Sequence, residues 1–154
     1  MNKLTHLIKT MEKNNISLAL AESISAGFAS YLITKTPGAS KVFKGGIIVY
    51  SLEAKAKFFK IPQTTLKKYD GVSEDIALIL AKRIKKLFRS DIGAAIVGFA
   101  GPRTKKGVKV GTVFIGLSFK NILISQKKVI KGSRDAIRKK ASQLLINLID
   151  KQLT

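Results

Sequence analysis

Residues 20–27 read Leu20-Ala21-Glu22-Ser23-Ile24-Ser25-Ala26-Gly27, an apolar, strand-like run that stops at small and polar residues before a helical pattern begins. A hydroxyl at such a strand-to-helix turn serves either as a presented nucleophile or as the N-cap of the next helix. Residues 47–55, Ile47-Ile48-Val49-Tyr50-Ser51-Leu52-Glu53-Ala54-Lys55, repeat the arrangement and deliver a phenol and then an amine off the end of a second apolar run. If the two turns meet, Ser23, Tyr50 and Lys55 share one site.

Working outward, Leu4, Leu7, Ile8 and Met11 recur at helical spacing and predict an amphipathic helix over residues 2–13. A strand is expected over 16–21, a helix over 28–34, a loop at Pro37-Gly38-Ala39-Ser40 and a strand over 43–50. A short helix follows over 53–59, then a polar turn opened by Pro62. A long helix N-capped by Ser73 runs to Phe88, with Glu74 and Asp75 favouring its dipole. Residues 92–100 form a near-continuous apolar strand and 101–107 a loop; strands over 111–119 and 122–130 pair as a hairpin around Lys120-Asn121. Ser133 opens a closing helix whose buried stripe is Ile137, Ala141, Leu144, Leu145, Leu148 and Ile149. The alternation of elements implies a single α/β domain, a three-layer α/β/α sandwich with a mixed sheet, spanning residues 1–154.

At 154 residues with 45% hydrophobic and 25% charged side chains, the chain has the composition of one globular domain with a proper core. The absence of Cys excludes disulfides, thiol catalysis and Cys-ligated metals. No apolar run is long enough to cross a membrane and no secretory leader is evident, so a cytoplasmic location is expected. Lys and Arg number 29 against 9 Asp and Glu, a formal charge of +20, whose field attracts phosphates, nucleic acids and anionic membranes alike. The cations are scattered along the chain without interleaved aromatics, which favours a solvated surface over a nucleic-acid interface. The helical stripe of Lys82, Lys85, Lys86 and Arg89 reads the same way.

A Ser nucleophile needs a base, and the only His, His6, lies on the first helix away from every polar turn, which argues against a Ser-His-Asp triad. Lys is the remaining candidate: a neutral amine takes a hydroxyl proton once burial or neighbouring cations lower its pKa. Tyr50, in the same segment as Lys55, is placed to relay or donate a proton. Lys55 also sits among Lys57 and Lys60 on a short helix, where such residues usually face water. The amides of Ser25, Ala26 and Gly27 are candidate donors to an oxyanion or a phosphate.

Ala21-Glu22-Ser23, Pro37-Gly38-Ala39-Ser40, Val49-Tyr50-Ser51-Leu52-Glu53-Ala54-Lys55, Gly71-Val72-Ser73-Glu74 and Ala100-Gly101-Pro102 occur in that order. Together with Val110-Gly111-Thr112-Val113 and the stretch Gly132–Arg138, they resemble the CinA C-terminal domain family over nearly the whole chain. The resemblance implies a nicotinamide-nucleotide amidase, which converts nicotinamide mononucleotide to nicotinate mononucleotide and ammonia without a metal or cofactor. It implies Ser23 as nucleophile and Tyr50 and Lys55 as its proton-transfer partners. Ser25, Ala26, Gly27, Ser40, Gly46 and Gly101 become pocket candidates, while Arg134 and Arg138, at i and i+4, are candidates for the nucleotide phosphate or a solvated basic helix end. It also implies a homodimer, and a stand-alone form of a domain that often follows a molybdopterin-binding-like one. Where the family usually has Cys-Thr-Gly-Gly after the Ser, this chain has Ile24-Ser25-Ala26-Gly27, and a basic stretch of Arg103, Thr104, Lys105 and Lys106 replaces a glycine-rich loop. A diverged, catalytically weak nucleotide-binding module and a basic nucleic-acid-associated protein are the alternatives.

Overall fold

Strand β1 (Leu18–Glu22) lies inside a five-stranded sheet, and the period-2 rule divides its side chains between two cores. Leu18 and Leu20 enter the larger core, while Ala19 and Ala21 enter the smaller. The computed structural model describes residues 1–154. Around β1 lie α1 (Lys3–Lys13), α2 (Phe28–Thr34), a 3-10 turn (Ala39–Lys41), β2 (Phe43–Ile48), α3 (Leu52–Phe59), α4 (Gln63–Tyr69) and α5 (Glu74–Phe88). The second half contributes β3 (Ile92–Gly98), β4 (Thr112–Phe119), β5 (Ile122–Val129) and α6 (Arg134–Leu153).

The sheet order is β2-β1-β3-β4-β5. Strands β2, β1 and β3 pair in parallel, and β4 pairs antiparallel with both β3 and β5, so the sheet is mixed. Helices α1, α2 and α6 bury Leu7, Ile8, Met11, Ile33, Leu145 and Ile149 against one face; α3, α4 and α5 bury Phe59, Leu66, Ile76, Leu80 and Ile84 against the other. The fold is thus an α/β/α sandwich, and each fully buried Leu or Ile contributes roughly 2 kcal/mol to it. Small residues set how closely α5 approaches the sheet. A Cβ on Gly93 would stand 2.1 Å from the carbonyl oxygen of Ala81, and one on Gly116 2.3 Å from that of Ala77. Only glycine fits either place.

Helix starts follow their caps: the Ser73 hydroxyl accepts from the Ile76 amide at 3.1 Å, and Ser133 accepts from Ala136 at 3.1 Å. Two differences from the sequence reading have physical causes. Ile16 closes the turn that follows α1, its amide donating to the Met11 carbonyl at 2.9 Å after left-handed Asn15, so β1 begins two residues later than residue 16. The segment read as a polar turn after Pro62 is helix α4, which docks through fully buried Leu66. With seven residues and two β-branched Thr, it has little helical preference of its own and is held by packing. In the closing helix, Leu144 is half-buried while Ser142 and Ile146 join the core. No helix is long and apolar enough to cross a membrane.

Candidate active site

Because β1, β2 and β3 are parallel, the segments after their last residues emerge at one end of the sheet. The connection from β1 returns through α2 on one face and the path into β3 runs through α5 on the other, so a crevice opens where the order reverses. Ser23 directly follows β1, and its amide still donates to Ile96 of β3 at 3.1 Å, which anchors it to the sheet.

Glu22, 1% exposed, settles what Ser23 is free to do. Its carboxylate accepts from the amides of Gly27 at 2.6 Å, Ala29 at 3.3 Å and Ser30 at 2.6 Å, and from the Ser30 hydroxyl at 2.7 Å. Helix α2 has Gly27 at its N-cap, with no side chain there to cap it. A buried carboxylate from the preceding strand does that work instead, stabilised by the positive end of the helix. The Ser23 hydroxyl is therefore not the cap of α2.

Lys55 comes from α3, whose first turn is capped by Ser51 accepting from Ala54 at 3.0 Å. Leu52, Lys55 and Phe59 share the helical phase that faces the sheet, while Lys57, Phe58 and Lys60 face solvent. Lys55 is only 2% exposed. Its Nζ lies 3.0 Å from Ser23 Oγ and 3.1 Å from the Tyr50 carbonyl oxygen. Burial lowers its pKa from 10.5 to about 8, against the opposing pull of the Asp70 charge. A neutral amine has two protons and one lone pair, so in that form it donates to the Tyr50 carbonyl and accepts the Ser23 proton. Gly71, with φ +73°, leaves room for this amine: a Cβ there would stand 2.8 Å from Leu52 Cδ2 and 3.5 Å from Lys55 Nζ.

The remaining expected residues divide. Tyr50 meets Lys55 through its backbone carbonyl; its phenol is turned to the cleft mouth, 57% exposed, and accepts from Arg134 Nη2 at 2.8 Å. Arg134 also donates to the Gly101 carbonyl. Arg138 does not reach the cleft. Its Nε donates to the Ile24 carbonyl at 2.9 Å, with Nη2 3.5 Å from the Ser25 carbonyl oxygen. Within the first turn, the Ala26 amide donates to Ser23 O at 3.1 Å and the Gly27 amide to Glu22, so neither is available to a ligand. The amides of Ile24 and Ser25 donate to no other backbone group. The Ser25 hydroxyl is buried without a partner. Ser40 is exposed in the 3-10 turn before β2, at the opposite end of the parallel strands. Gly46 sits mid-strand opposite Leu20, where a Cβ would meet the Leu20 carbonyl oxygen at 2.7 Å, so it serves strand packing.

The cleft has a volume of about 560 Å³ and is lined by Ser23, Ile24, Tyr50, Lys55, Asp70, Gly101, Arg103 and Arg134 among others. The size suits a small-molecule ligand. Asp70, which lines the cleft, and Glu22, which caps α2 beside it, are residues that the sequence reading did not single out. Glu22 did leave a signal, since a carboxylate ending an apolar strand run needs buried donors. Asp70 left none, because the helix that ends there was itself not foreseen.

The profile of the CinA C-terminal domain matches residues 2–153. The chain belongs to that family. A CinA-like protein of Petrotoga mobilis is 36% identical over 146 residues, covering 94% of this chain and 36% of that protein. A CinA-like protein of Thermotoga neapolitana is 36% identical over 148 residues, covering 96% and 36%. The chain thus spans about a third of the length of the curated relatives it matches. Among solved structures, a CinA superfamily protein from Klebsiella pneumoniae superposes with a TM-score of 0.91 at 24% identity, covering 99% of this chain and 98% of that one. A competence or damage-inducible protein from Enterobacter asburiae gives 0.91 and 24%, covering 100% of both. These two likenesses establish the CinA C-terminal fold for the sandwich described above.

Proposed function

We propose that this CinA C-terminal domain is an amidohydrolase that converts nicotinamide mononucleotide to nicotinate mononucleotide and ammonia. The observation that carries the reading is the buried contact of 3.0 Å between Lys55 Nζ and Ser23 Oγ. A nucleophile in contact with an amine whose pKa burial has lowered to about 8 is the arrangement of Ser-Lys acyl transfer. Neutral Lys55 takes the Ser23 proton as Oγ attacks the carboxamide carbon. The amides of Ile24 and Ser25, which donate to no other backbone group, are the donors this reading assigns to the oxygen that becomes negative. Collapse of the tetrahedral adduct breaks the C–N bond, and the proton held by Lys55 leaves with ammonia. Water then attacks the acyl-enzyme, Lys55 takes its proton, and the carboxylic product is released with Ser23 restored. Arg103 and Arg134 at the mouth give the cleft a positive rim suited to a nucleotide phosphate.

The test is ammonia release from nicotinamide mononucleotide. Turnover is expected to rise about tenfold per pH unit as Lys55 loses its proton, levelling off above a pH of about 8. Ser23→Ala is expected to lower kcat at least about a thousandfold while leaving nucleotide binding nearly intact. Comparable turnover in that variant removes Ser23 as the nucleophile; tight nucleotide binding without turnover in the unmodified chain favours a binding module instead.

A further inference from the structure

The turn that carries Ser23 is tied down at every peptide but one. The Ser23 amide is held by Ile96, the Ala26 amide by the Ser23 carbonyl, the Gly27 amide by Glu22, and the Ser25 carbonyl by the Phe28 amide at 3.0 Å. The peptide joining Ile24 to Ser25 has no backbone partner on either edge: its N–H, that of Ser25, is free, and its oxygen, that of Ile24, meets only Arg138 Nε at 2.9 Å. The Ser25 side chain adds no tether, since its hydroxyl is unpartnered.

We propose that Arg138 is a positioning residue, which fixes the plane of the Ile24–Ser25 peptide and so aims the Ser25 N–H at the oxygen that turns negative when Ser23 attacks. The inference rests on the reading of Ser23 as nucleophile and deepens it. A peptide plane is rigid, so holding its oxygen fixes the direction of its N–H. A charge-assisted bond to the oxygen also polarises the amide and strengthens the N–H as a donor. Arg134, one helical turn earlier, reaches over the cleft mouth instead, so the two arginines of α6 act on different parts of the site. Arg138 touches no reacting atom. Its effect passes through a backbone donor that no side-chain substitution at Ser25 would remove.

The experiment compares the unmodified chain with Arg138→Ala and Arg138→Lys. Ammonia release from nicotinamide mononucleotide is followed, as is the labelling rate of Ser23 by a fluorophosphonate, whose phosphoryl oxygen occupies the same donor position. Arg138→Ala is expected to lose about ten- to a hundredfold in kcat with KM within about threefold, somewhat less than removal of an oxyanion donor outright. Labelling is expected to slow in parallel, and added guanidinium at tens of millimolar to restore part of both rates. Arg138→Lys, which keeps a cation without the planar fork, falls between and serves if the Ala variant does not fold. Unchanged kcat and labelling, or a rise in KM alone, overturns the proposal. If the unmodified chain labels but releases no ammonia, the substrate assignment fails, and the labelling ratio alone decides the role of Arg138. If it does not label either, the nucleophile reading falls and takes this inference with it.

Discussion

Replacing Lys55 by Met tests whether burial has prepared this amine to act as a base. The thioether chain fills about the same space without a charge. In the folded chain burial holds the Lys55 pKa at about 8 against an ordinary value of 10.5, which corresponds to about 3 kcal/mol. The sign follows from proton counting. Between about pH 8 and 10.5 the unfolded chain holds the Lys55 proton and the folded chain does not, so stability from this residue rises with pH in that window. Below about pH 8 both states are protonated and the full cost of burying the charge is present. Met has no such cost at any pH. Whatever the stability gap between variant and unmodified chain at neutral pH, it should shift by about 2.5 kcal/mol in favour of the unmodified chain between roughly pH 7 and pH 10. Urea unfolding of both proteins across that range gives the gap directly, and the difference cancels the titration of the other lysines. A gap that stays constant within about 0.5 kcal/mol would mean that Lys55 titrates alike in both states, and the argument for a neutral base near physiological pH collapses.

Two other perturbations probe the scaffold of the site. Glu22→Gln places an amide group against donors that now converge on a carboxylate, and should cost about 2–4 kcal/mol, or roughly 5–15 °C in melting temperature, by calorimetry; a loss below about 0.5 kcal/mol would show that α2 does not depend on this cap. Gly71→Ala strains a positive φ and presses a methyl toward Leu52 and Lys55, whereas Gly107→Ala, at φ +81° with nothing within 4 Å, incurs strain alone. The Gly71 variant should therefore lose about 1–3 kcal/mol beyond the Gly107 variant and also lose turnover; equal stability and activity in the two would refute the crowding of the amine.

Much of the architecture could be read along the chain because local signals and global burial agree there. Ser73 with Glu74 and Asp75 marks the start of α5, and its apolar phase carries to Phe88. The small-residue turn after β1 marks the start of α2 at Phe28. Helix α4 escaped because only Leu66 and, in part, Tyr69 hold it, too short a pattern in seven residues to announce a helix. At the site, the convergence of Ser23 and Lys55 is a fact of geometry: the sequence reading set Lys55 among lysines that usually face water, and only the packing of α3 through Leu52 and Phe59 buried it. The directions of Tyr50, Arg134 and Arg138 had no counterpart in spacing. Two arginines one turn apart on α6 reach a phenol at the cleft mouth in one case and the backbone of the first turn in the other.

By itself, the order of residues determined the strands, most helices and the chemical types available: a hydroxyl just past one strand end, a phenol just past another, many amines and a single imidazole on the first helix. Those follow from periodicity, caps and counting, which act over a few residues. Which amine loses its water, which amides of the first turn remain free, and which carboxylate frees the Ser23 hydroxyl by capping α2 were decided only when distant segments packed. Desolvation and hydrogen-bond satisfaction depend on what surrounds an atom in space, and neighbours along the chain specify that only in part.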